Sequence, residues 1–215
     1  MTKAEKLALL DKLWPNAPTT LLDAIIEYGP ALREKYEINT PLRLAHFMAQ
    51  ISHESGGGTI TIENMNYTTA RRICQVWPSR FPSEGSAQPY VKNPRGLANK
   101  VYNGRMGNRS GTDDGYNYRG RGLLQLTGRE SYQRIGKALG LDLAGDPNLV
   151  NQPPQNSLEI AAREFKELKC LPSADADDVR AVTKKVNGGY NGLEDRKQWL
   201  AKWKKVLIPK LDLTG

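Results

Sequence analysis

Thr40-Pro41-Leu42-Arg43-Leu44-Ala45-His46-Phe47-Met48-Ala49-Gln50-Ile51-Ser52-His53-Glu54-Ser55-Gly56-Gly57-Gly58 is the stretch from which the rest of the chain can be read. Thr40 carries a side-chain acceptor suited to capping a helix, and Pro41 suits the first helical position, where no backbone donor is needed. Leu44, Phe47, Met48 and Ile51 recur at helical spacing, and the glycine run at Gly56 ends the pattern. The spacing therefore predicts a helix from Pro41 to about Ser55, with Glu54 continuing the apolar stripe beyond Ile51. A carboxylate there is partly desolvated and sits at the negative end of the helix dipole. Both effects disfavour its ionised form, and a carboxylic acid that keeps its proton is what general-acid catalysis requires. The structural alternative is a glutamate that merely hydrogen-bonds the glycine run.

Outward from this helix the same periodicity predicts a mainly α chain. Leu7, Leu10 and Trp14 share a face and stop at Pro15; a second helix runs from Thr19-Thr20 to Gly29-Pro30. Further helices are expected at 129–139, 157–169, 175–187 and 193–207. Thr59-Ile60-Thr61-Ile62 alternates as a short strand would. Residues 78–122 hold four of the 13 prolines and eight of the 20 glycines together with Phe81, Tyr90, Tyr102, Tyr116 and Tyr118. That composition predicts an irregular lobe that packs, not a linker. A single catalytic domain over 1–215 is expected.

Glu63, nine residues after Glu54, ends the alternating stretch. Two carboxylates are the minimal apparatus for splitting a glycosidic bond, one protonating the leaving oxygen and the other activating water or attacking the sugar. In Tyr118-Arg119-Gly120-Arg121-Gly122-Leu123-Leu124-Gln125-Leu126-Thr127-Gly128, an extended Leu123–Thr127 would turn Gln125 and Thr127 to one side. Gln125 then suits a sugar acetamido group and Thr127 a water, although Thr127-Gly128-Arg129-Glu130 also reads as a capping box. Arg196 falls on the apolar face of the last helix. A buried guanidinium needs a partner, and Glu54 or Glu63 is expected to supply it. Asn187-Gly188-Gly189 reads equally as a helix stop. His46 and His53 are the only histidines and no second histidine completes a zinc motif, so no metal or other cofactor is expected.

The chain of 215 residues carries 31 Lys+Arg against 23 Asp+Glu, a net charge of +8, and is 39% hydrophobic. This excludes a disordered chain and leaves the charge open between solubility and an anionic partner. Its two cysteines, Cys74 and Cys170, exclude a disulfide scaffold. Met1 to Lys6 lacks the apolar core of a secretory signal, so synthesis is expected to end in the cytoplasm.

In Ile38-Asn39-Thr40-Pro41-Leu42-Arg43, Ala49-Gln50-Ile51-Ser52-His53-Glu54-Ser55-Gly56, Glu63-Asn64-Met65-Asn66-Tyr67, the Tyr118–Gly128 segment, Asp146-Pro147-Asn148-Leu149-Val150, Val186-Asn187-Gly188-Gly189 and Asp195-Arg196, the chain resembles glycoside hydrolase family 19. Within it the likeness is to the short phage endolysins. The resemblance implies a lysozyme-like, mainly α, two-lobed fold with a small irregular or β insertion and a substrate groove between the lobes. It implies Glu54 as general acid, Glu63 as second carboxylate, Thr127 as a water-positioning residue, and Tyr118, Gln125, Asn187 and Arg196 as substrate-binding. An inverting mechanism would need the carboxyl groups about 6.5–9.5 Å apart. The expected activity is a muramidase acting on bacterial peptidoglycan, released to the wall through a membrane pore. The expected protein is a monomer whose basic surface, the last helix above all, meets an anionic envelope, and no nucleic acid is expected. The alternatives are a chitinase, or a noncatalytic wall- or nucleic-acid-binding module.

Overall fold

A computed structural model describes residues 1–208. The chain divides into two compact units, each described by itself: unit one comprises Met1–Thr61, Gly122–Gln125 and the chain from Val150 onward, and unit two Ile62–Arg121 and Leu126–Leu149. Twelve α-helices form among the described residues, and β pairing is limited to isolated bridges. The expected mainly α class is the observed one.

Unit one is built around α3, Pro41–Glu54. The α1 helix (Lys3–Leu13) and α2 helix (Thr19–Lys35) precede it. Thr40 accepts the Arg43 N–H at 3.1 Å and Pro41 stands in the first turn, as the spacing predicts. Residues Ala45 to Ser52 are all buried, so α3 is enclosed on every side instead of resting one stripe on a core. Phe47 meets Phe165 edge to face at 5.5 Å, and Trp14 meets Trp203 in the same way at 6.2 Å. Ser52 completes this core: its Oγ accepts the Trp14 and Trp203 indole N–H groups, each at 2.9 Å, and donates to the Met48 carbonyl at 2.6 Å. Ser52→Ala would leave two indole donors buried without an acceptor. It should therefore destabilise the fold by about 2 kcal/mol; an unchanged urea midpoint would contradict this role.

Several boundaries differ from expectation. The α2 helix does not stop at Gly29-Pro30 but continues to Lys35, because Leu32, beyond the proline, packs against the core. The single helix expected at 175–187 is two, α10 (Leu171–Asp175) and α11 (Val179–Asn187). Asp177 takes a left-handed φ of 55° between them, and the Asp178 side chain caps α11 by accepting the Ala181 N–H. The α9 helix (Pro154–Glu167) and α12 helix (Leu193–Leu207) complete the unit, α12 lying along α3. Cys170 is buried, which pushes its thiol up to about 12, and both cysteines are free. Among the described residues no helix is long and apolar enough to cross a membrane.

Unit two carries α4 (Ala70–Val76), α5 (Glu84–Ala87), α6 (Pro94–Tyr102), α7 (Asp114–Asn117) and α8 (Arg129–Leu139), and its core gathers Met65, Ile73, Phe81, Leu97, Ala98 and Val101. The lobe expected to be irregular at 78–122 thus contains three short α-helices and a 3-10 helix at Gln88–Tyr90. Asn93 caps α6 by accepting the Gly96 N–H. The strand expected at 59–62 is absent: Ile62 alone forms a bridge, to Arg121. Nor is Leu123–Thr127 extended. Arg121 N–H bonds to the Leu126 carbonyl at 3.1 Å and closes a turn in which Gly122 and Gln125 both take positive φ, 80° and 56°. The capping box at Thr127 does not form either. Gly128 itself is the N-cap, and the first helical N–H groups go to the Asn108 side chain and the Met106 carbonyl. A side chain at Gly128 is excluded, since its Cβ would lie 2.4 Å from that of Met106.

Candidate active site

In unit one, Glu54 is the last residue of α3, and Gln50 precedes it by one helical turn on the same face. Arg196, on α12, is 1% exposed and turns its fork toward both. One terminal nitrogen donates to Gln50 Oε1 and the other to Glu54 Oε1, while Nε donates to the Asn191 carbonyl at 3.3 Å. The predicted carboxylate partner of Arg196 is therefore Glu54. The carboxylate itself is not sealed in: the Glu54 side chain keeps 20% exposure. The picture of a desolvated glutamate beside an apolar stripe is corrected in two respects, because the site contains a cation and opens to water. Among the described residues, no hydrogen bond engages Glu54 Oε2, so that oxygen is left for a ligand or a proton.

His53 beside it pairs through Nδ1 with Asp195 at 2.7 Å, and its ring lies over Gly192. A Cβ on Gly192 would fall 2.1 Å from His53 Cε1, and Gly192 has a φ of 70°. Glycine alone fits where α12 begins. His46 is fully buried against Asp177 at 2.9 Å, and burial holds its imidazole below the usual histidine range. Among the described residues no cluster of His, Cys, Asp or Glu is arranged to hold a metal ion. Asn187 is exposed at the end of α11, where Gly188 takes the left-handed cap. Gln125 turns its side-chain amide back to the carbonyls of Gly122 at 2.9 Å and Ile60 at 3.3 Å, so it braces its own turn.

In unit two, Glu63 is docked against Gly120 twice. Its N–H donates to the Gly120 carbonyl at 2.8 Å, and its Oε2 accepts the Gly120 N–H at 3.1 Å. Its Oε1 accepts the Tyr102 hydroxyl at 2.7 Å. Arg119 stacks over Tyr116 at 4.1 Å and donates to its carbonyl, with burial holding the guanidinium below its usual range. Thr127 is half-buried between the Leu126 bridge and Gly128. Tyr118 is 5% exposed, stacks edge to face on Tyr132 and spends its hydroxyl on the Ala144 carbonyl at 2.8 Å. It supports the motif from inside and offers no free polar group to a sugar. Reading the sequence did not find Gln50 or Tyr102. Gln50 was detectable as the position one turn before Glu54 facing the same partner; Tyr102, 39 residues from Glu63, leaves no spacing signal.

A family model described as "Chitinase class I" of the glycoside hydrolase 19 type matches residues 35–176, a span containing Glu54, Glu63, Gln125 and Thr127. A glycosyl hydrolase family 19 domain-containing protein of Haemophilus influenzae is 35% identical over 199 residues, covering 91% of this chain and 94% of its own. An endochitinase of Arabidopsis thaliana is 40% identical over 75 residues, 35% of this chain and 26% of the plant protein. Among solved structures, chitinase C of Streptomyces griseus superposes with a TM-score of 0.57 at 19% identity, covering 93% of this chain and 90% of that one. The class IV chitinase of Zea mays does so at 0.57 and 18%, covering 97% and 92%. These two show a shared fold. Architecture and relatives together define a glycosidase of mainly α type. The chain belongs to glycoside hydrolase family 19.

Proposed function

We propose that the protein is an endolysin-type muramidase, hydrolysing the β-1,4 bond between N-acetylmuramic acid and N-acetylglucosamine in bacterial peptidoglycan. Glu54 gives a proton to the glycosidic oxygen, and Glu63 takes one from the water that adds to the anomeric carbon, with the Thr127 hydroxyl positioning that water. The net change is addition of one water across the bond. The observation that carries this reading is Glu54: an oriented carboxylate at an open helix end, with Oε1 on Arg196 and Oε2 unengaged. Arg196 and Tyr118 enter it as internal supports, Asn187 as an exposed group for a sugar, and Gln125 as a brace whose outward reach requires its turn to open.

The choice of murein rests on charge. Chitin is neutral, whereas murein carries lactyl-peptide carboxylates, and a net +8 favours the anionic polymer. The final helix contributes less than its composition implies, because Lys197 is paired with Glu194 and Lys204 with Asp177. Lys202 and Lys205 remain exposed. A chitinase is the second reading, favoured by the chitinase description of the matching family and by the chitinase structures that share the fold. Digesting purified sacculi and colloidal chitin in parallel decides between them. Muramidase action should release new reducing ends from sacculi and few from chitin, and the reverse ratio would establish the chitinase.

A further inference from the structure

We infer that Tyr102 is a positioning residue for Glu63, its hydroxyl fixing one carboxylate oxygen so that the group faces the reacting water in a single orientation. This rests on the reading of Glu63 as the second carboxylate. The geometry behind it lies wholly within unit two. Tyr102 ends α6, a helix capped by Asn93 and anchored by Leu97, Ala98 and Val101 in the core, and the Asn108 side chain ties down the Tyr102 carbonyl at 3.1 Å. The hydroxyl is thus delivered from a fixed backbone, and its 2.7 Å contact has the length of a charge-assisted bond. Gly120 N–H holds the other oxygen. Both donors are neutral. Among the described residues no Lys or Arg pairs with Glu63, in contrast to Glu54, which a guanidinium holds.

The groups around this carboxylate are few. Tyr67 follows it in the chain, Tyr102 comes from α6, and Arg119 comes from the Tyr118–Gly122 segment; Arg105 acts on Tyr102 and Arg72 on Tyr67. Burial first, then the charge of Glu63, push the Tyr102 phenol far above its usual range. It therefore remains an O–H donor at every working pH and cannot itself serve as the base. What it supplies is orientation and stabilisation of the ionised carboxylate, as a bond to a charged group does.

Tyr102→Phe removes the hydroxyl and keeps the ring. It should lower kcat roughly 10-fold or more with KM little changed. Removing a donor from the charged form disfavours that form, so the acid limb of the kcat/KM profile should move to higher pH. The assay uses whichever polymer the wild-type enzyme cleaves, with Glu63→Gln run in parallel. An unmoved acid limb in Tyr102→Phe, with Glu63→Gln inactive, would overturn the inference and leave the role of Glu63 standing. Near-normal turnover of Glu63→Gln would overturn both. If Tyr102→Phe does not fold, 3-fluorotyrosine placed at position 102 carries the test. As a stronger donor it should move the acid limb to lower pH, and an unmoved limb would again refute the role.

Discussion

Glu54→Gln should lower turnover by about 10²–10⁴, the usual worth of a general acid, in protein that remains folded. Glutamine keeps the size of the side chain and can still accept from Arg196, so what the substitution removes is the proton to be given. In the structure Oε1 is committed to Arg196 while Oε2 is unengaged, which makes Oε2 the oxygen that must carry that proton. The variant also leaves the buried Arg196 facing a neutral amide, so some stability should be lost with activity. Turnover is therefore to be expressed per folded molecule, with the folded fraction taken from the unfolding curve at the assay temperature. Near-normal turnover on that basis would remove Glu54 from the reaction.

Arg196→Met should be the most damaging change to stability in the site. The guanidinium is 1% exposed and serves Gln50, Glu54 and the Asn191 carbonyl at once. Methionine fills part of the volume but leaves a carboxylate and two further acceptors without their donor. Removing one partner of a buried pair costs 3–5 kcal/mol, and the lower end applies because Glu54 retains contact with water. At about 3 kcal/mol the melting temperature should fall by roughly 6–12 °C for a chain of this size. Arg196→Lys preserves the charge but not the fork, and should fall between the two. An unchanged melting temperature for Arg196→Met would show that the fork is not what ties α12 to α3.

How much of this was legible beforehand follows from the range of the interactions involved. The α3 helix was readable because its cap, its proline and its stripe are local, and α12 was readable down to its end residues for the same reason. The Arg196–Glu54 pair was within reach because an arginine on an apolar face demands a carboxylate, whatever the distance along the chain. The turn at Gly122–Gln125 was not. Its apolar alternation imitates a strand, and the positive φ at Gln125 is imposed by the closing Arg121–Leu126 bond, which no residue type announces. The Thr127 capping box failed because Asn108 and Met106, some twenty residues earlier, occupy the helix end first. Tyr118 belongs to a motif that marks it as substrate-binding, whereas its hydroxyl donates inward to the Ala144 carbonyl. Likewise the lysines of the last helix counted fully in the net charge, although two of them are paired with acids.

The most direct measurement is mass spectrometry of the fragments that the enzyme releases from purified, uncrosslinked and crosslinked murein. Muramidase action predicts saccharide-peptide fragments ending in a reducing N-acetylmuramic acid, each heavier by one water than its anhydro counterpart. Fragments ending in reducing N-acetylglucosamine, anhydro products, or glycan strands left intact would contradict it.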